Sequence, residues 1–146
     1  MKRMLSFACL FSLVIAVSLA AQAPATQAPG KIATDADYSA HMKEIQQVNG
    51  MLGKAIKGGM AEDAAKSAAR LEILFKNIHG YWSDKKIADA ATNAQTILTA
   101  LAEVQKAALA NDLTAAETAR AKIGSQCMAC HTAHREKLPE GGFRIK

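Results

Sequence analysis

Aromatic residues make up only 5% of this 146-residue chain, although half of it is hydrophobic. Alanine supplies much of the difference. Strands favour β-branched and aromatic side chains whereas Ala is the strongest helix former, so the shortage argues against an all-β sandwich. No strand pattern and no internal repeat is visible. No Arg-rich patch or aromatic-interleaved basic run occurs either, which argues against nucleic acid as a partner. The length suits one domain. Charged residues at 21% and hydrophobic residues at 50% sit near globular averages, which excludes disorder over the whole chain.

Part of the hydrophobic half belongs to the first twenty residues. Lys2 and Arg3 give a positive start, Met4 to Leu19 is apolar apart from three Ser, and small residues follow at Ser18, Ala20 and Ala21. This is the pattern of a secretory signal, with cleavage expected after Ala20. A transmembrane anchor needs about 20 apolar residues, and this run is shorter, so no stable membrane anchor is expected. Cys9 leaves with the signal, so two of the three cysteines remain. Taking Lys2 and Arg3 from 18 basic residues leaves 16 against 13 acidic, a net of +3 in place of +5. Residues 21–34, rich in Ala, Pro and Gln, read as a flexible arm.

From Asp35 the apolar period is helical. Tyr38, Met42, Ile45, Asn49, Leu52 and Ile56 form one stripe, stopped by Gly58-Gly59. Ala64, Ala68, Leu71, Phe75, Ile78 and Trp82 form a second, ending near Gly80. The third runs from Ile87 to Ala108 and breaks at Asn111-Asp112. Thr114 with Glu117 then resembles a capping box opening the fourth, which carries Ile123, Cys127, Cys130 and His134 and should stop before Pro139. Four such helices with short connections predict an all-α, antiparallel up-down-up-down four-helix bundle over residues 35–138, with 139–146 as a tail.

Cys127-Met128-Ala129-Cys130-His131 carries the chemistry. It is the Cys-x-x-Cys-His pattern of c-type haem attachment. The two thiols form thioethers to the haem vinyl groups, and the adjacent imidazole takes one axial position on iron. Positions i, i+3 and i+4 share one helical face, as the geometry requires. A thioredoxin-like pair would want a βαβ context. A disulfide between Cys127 and Cys130 would close a trivial loop, and a zinc site using Cys127, Cys130, His131 and His134 lacks the usual spacing between ligand pairs. One covalent haem c is therefore the expected cofactor, and export agrees with its attachment outside the cytoplasm.

A Cys-x-x-Cys-His motif late in an Ala-rich helical bundle resembles the class II c-type cytochromes, that is, cytochrome c′ and its low-spin relatives. His131-Thr132-Ala133-His134-Arg135 keeps the family's Arg but places His134 where an aromatic residue is common. Met42-Lys43 and Asn49 to Lys57 look like the family's first helix, and the resemblance spans about residues 36 to 138. It implies a periplasmic electron carrier, not an enzyme, exchanging electrons with redox partner proteins, and it allows a homodimer.

In the low-spin branch a Met on the first helix is the second axial ligand, and the matching position here is Met42. In cytochrome c′ proper that position is apolar, and the five-coordinate iron binds small gases such as nitric oxide. Bundle direction adds an independent argument, since the start of the first helix should lie beside the end of the fourth. A Met on a helical stripe is otherwise core filler. Met51 lies about 180° round the helix from Met42, Met60 falls at the opposite end, and Met128 points off the haem face. His41 is about 100° off the stripe and makes a poor ligand. His79 could border the haem, rival Met42 as a ligand, or simply lie on the surface, and a peroxidase-like site would need His41 or His79 in an open distal pocket. Arg135 reads either as a partner of a haem propionate or as a solvated helix-end cation. Lys85, Lys86 and Lys137 should share that end of the bundle, as a docking face for an acidic redox partner or as an ordinary solvated face.

Overall fold

The computed structural model describes residues 30–146. The signal and residues 21–29 of the expected arm lie outside them. Four helices pack against one another: α1 (Asp35–Lys57), α2 (Ala61–Asp84), α3 (Ala88–Leu109) and α4 (Leu113–His134). A two-stranded antiparallel hairpin, β1 (Arg135–Lys137) and β2 (Phe143–Ile145), follows. The all-helical bundle expected from the periodicity is present.

α1 begins at a capping box. Asp37 N–H donates to Thr34 Oγ at 3.1 Å, and Thr34 N–H donates to Asp37 Oδ2 at 2.9 Å. The Thr34 hydroxyl also donates to Asp37 Oδ2 at 2.8 Å, and that bond, with those from the Thr34 and Ala33 N–H groups, holds the Asp37 carboxyl below its ordinary pKa. The capping box expected at Thr114 and Glu117 does not form. α4 is instead capped by Asp112, whose Oδ1 accepts from Ala115 N–H at 2.9 Å. Helix starts one residue past Asp112, so Thr114 is already inside the first turn, and Glu117 pairs with Arg120.

The three connections share one design. Met60, Ile87 and Asp112 each donate their N–H to the carbonyl five residues back, at 2.9, 3.1 and 2.9 Å. The residue before each is left-handed: Gly59 at φ 74°, Lys86 and Asn111 at φ 58°. This is the Schellman ending, which satisfies carbonyls that the helix end would otherwise orphan. α2 does not end near Gly80 as the sequence suggested. A helical Gly costs about 1 kcal/mol, and burying Tyr81 and Trp82 just beyond it outweighs that.

The core is Leu52, Leu71, Leu74, Leu101 and Val104, all fully buried, surrounded by Ala from every helix. α2 packs closely on α1 and α3, and α3 on α4, whereas α1 and α4 scarcely meet. One α1–α4 approach is at Gly53, against which the Arg120 guanidinium lies.

Polar clamps fix α1 on α2, one per turn. Trp82 Nε1–H donates to Tyr38 Oη at 3.1 Å, the Asn77 amide meets His41 Nε2 at 3.3 Å, and Arg70 Nε–H donates to Glu44 Oε1 at 2.7 Å. As the α1 partner advances along the chain, the α2 partner recedes.

Two segments depart from expectation. Ile32, within the stretch read as a flexible arm, is 4% exposed and joins the core. Residues 135–145, read without strands, form the hairpin, with Arg135 opposite Ile145 and Lys137 opposite Phe143. Three-residue strands are too short to display alternation. Gly141 and Gly142, at φ 96° and 82°, make the turn, a conformation open to Gly without penalty. Among the described residues no helix is long and apolar enough to cross a membrane.

Candidate functional site

α4 buries Ala116, Ala119 and Ile123 and nothing after them. The same face continues as Cys127, Cys130 and His131, all half-buried. The two cysteines are free thiols. Burial pushes both thiols up from their ordinary pKa, with Cys130 as a second cause for Cys127 and the Asp89 carboxylate for Cys130. Burial pushes the His131 imidazole down, helped by the Arg135 cation. Its lone pair is thus available to a metal at lower pH than that of a free histidine.

The scarce aromatics gather at this end. The sequence holds two Tyr and one Trp, and these three pack together. Tyr38 lies 4.8 Å from Tyr81 and 5.6 Å from Trp82, ring centre to centre, and Tyr81 lies 5.2 Å from Trp82. Tyr38 is buried, and its phenol is pushed well above its ordinary range by that burial, with Cys130 and Cys127 contributing further. His134 stacks on Trp82 at 5.2 Å and bonds the exposed Asp89 carboxylate at 2.7 Å. That bond holds Asp89 below its ordinary pKa.

Met42 is half-buried against the core, one turn after Tyr38 on the same stripe. Two turns further on, Asn49 Oδ1 is buried with no hydrogen-bond partner. Met51, Met60 and Met128 are 55%, 46% and 68% exposed, so Met42 alone of the four lies against the core. Arg135 has left the helix. Its N–H donates to the His131 carbonyl as the α4 cap, and its exposed guanidinium stacks on Phe143 at 3.8 Å. Lys85 sits over the Tyr81 ring at 4.9 Å, and Lys86 and Lys137 are exposed.

The two other histidines are placed differently. His41 is 4% exposed and engaged at both nitrogens, to Asp37 O at 2.9 Å and to Asn77, so it has no free lone pair for iron. Sequence periodicity missed this burial, because a His off the apolar stripe reads as solvated. His79 lines a groove of about 310 Å³ between α2 and α3, together with Thr92, Gln95, Thr96 and Thr99.

These residues fit a covalently held haem. Two free thiols and a half-buried imidazole stand on one helical face. A chelated zinc fits less well. His134 turns to Asp89, and among the described residues no three His, Cys, Asp or Glu side chains gather as a metal-holding cluster. Comparison with protein-family models, curated proteins and solved structures returned no match.

Proposed function

We propose that this chain is an exported, periplasmic, monohaem c-type cytochrome of the class II kind, an electron carrier and not an enzyme. The observation that carries the reading is the Cys127, Cys130 and His131 face of α4. It is half-buried, thiol-bearing and free of disulfide, and it follows the last fully buried residue of the helix, Ile123. The three-residue connections and the receding order of clamps between α1 and α2 support an antiparallel up-down-up-down bundle. In that arrangement the start of α1 faces the end of α4.

Cys127 and Cys130 would anchor the haem, His131 would take the proximal position, and Met42 the distal one. Arg135 is near enough in sequence to answer a propionate once released from Phe143. Bound haem supplies one-electron cycling between ferric and ferrous iron. The chain's own task is to fix axial ligation and keep water out. The Tyr38, Tyr81 and Trp82 cluster excludes water from the thiol side, and α1 presents Met42. Lys85, Lys86 and Lys137 would face a redox partner carrying acidic groups, and complementary charge there mainly raises the encounter rate.

The test is the absorption spectrum of the exported, purified protein in both redox states, with Met42→Ala alongside. A low-spin spectrum that becomes high-spin in Met42→Ala supports the reading. A high-spin ferric spectrum unchanged by Met42→Ala would assign five-coordinate, gas-binding iron instead. A colourless protein sinks the haem altogether.

A further inference from the structure

We infer that His41 and Asn77 are positioning residues for the distal ligand, holding α1 in the rotation that turns Met42 toward α4. This rests on the Met42 reading above. Successive helical residues stand about 100° apart, so fixing the direction of His41 fixes that of Met42. His41 is fixed. A carbonyl can only accept, so Nδ1–H donates to Asp37 O at 2.9 Å, leaving Nε2 to accept from the Asn77 amide at 3.3 Å. The ring is 4% exposed, which makes an unmade bond there expensive.

The need for such a device follows from the packing. α1 rests firmly on α2 and barely touches α4, so α4 cannot itself set the rotation of α1. The apolar contacts of α1 with α2 are non-directional and tolerate small rotations of α1. Directional bonds must supply the register. Of the three clamps, the one at His41 adjoins Met42. The Tyr38–Trp82 and Glu44–Arg70 bonds flank it by one turn on either side.

The test uses the exported holoprotein with His41→Phe, which keeps a buried ring but removes both nitrogens, and Asn77→Leu, which removes the donor from the other helix. Ile56→Val, a mild core truncation at the far end of α1, is the control for general destabilisation. The readouts are the far-red charge-transfer band of Met-ligated ferric haem and the midpoint potential, at unchanged helical content. In both variants the ratio of Met-bound to Met-free iron should fall by about tenfold, the effect of one buried hydrogen bond left unmade, with a lowered potential. Ile56→Val should keep both. If His41→Phe fails to fold, Asn77→Leu carries the test alone. A band and potential unchanged in Asn77→Leu overturn the inference while the cytochrome reading stands. A wild type without the band, indifferent to Met42→Ala, overturns the Met42 reading and this inference with it.

Discussion

Trp82 donates its indole N–H to the hydroxyl of Tyr38 at 3.1 Å, inside a cluster that buries both rings. The bond ties the start of α1 to the end of α2. Tyr38→Phe keeps the ring and leaves the indole N–H without its acceptor. The expected cost is about 1–3 kcal/mol, measured as a shift of the denaturant midpoint at constant slope.

The same tyrosine gives a pH dependence. Its folded pKa is raised by burial, so the folded state holds the phenolic proton more tightly than the unfolded state does. Stability from this group is complete below about pH 10, the ordinary tyrosine pKa, and is lost as pH rises beyond it. Unfolding followed from pH 8 to 11 should show an alkaline loss, and Tyr38→Phe should flatten it. An equal alkaline slope in both proteins would assign the effect elsewhere.

Trp82 is the chain's single Trp, and it packs on His134, three residues past His131. Attached haem should therefore quench its emission strongly. Replacing both Cys127 and Cys130 with Ser should raise that emission severalfold by preventing covalent attachment. Bright emission from a haem-loaded wild type would place the cofactor away from this cluster.

Two helix caps separate the expectation from the structure. Asp112→Ala should cost about 1 kcal/mol, the usual worth of an N-cap side chain. Thr114→Ala, within the first turn, should change stability by a few tenths at most. The reverse ranking would restore Thr114 as the cap.

Lys86 is left-handed at φ 58° where its counterpart in the first connection is Gly59. Lys86→Gly removes the crowding of Cβ against the backbone, partly offset by the entropy of a freer unfolded chain. A gain of about 0.5–1 kcal/mol is expected in thermal or denaturant unfolding.

The helices were legible because Ala, Leu and Ile recur at a helical period with polar breaks between them, and the motif stood out because two Cys and a His at fixed spacing have few other uses, while the group it holds is a proposal. Gly80 misled, since a local stop signal is weaker than the burial of Tyr81 and Trp82 behind it. In the sequence Asp112 reads only as a breaker, although the residue that ends one helix also caps the next. The hairpin escaped because Arg135 to Lys137 finds its partners across a turn and carries no period of its own. His41 escaped for another reason: a polar residue off the stripe is buried only when a partner such as Asn77 awaits it on another helix.

α4 spends its buried side chains in its first half and has none after Ile123. Its two halves therefore differ in their resistance to opening. Amides near Ala116 should exchange with solvent only when the bundle opens, whereas those from Gly124 onward can exchange through local fraying. A modifying enzyme could then reach Cys127 and Cys130 on a chain whose remaining helices are already assembled. Under the cytochrome proposal, covalent attachment would then need only this half of α4 to open.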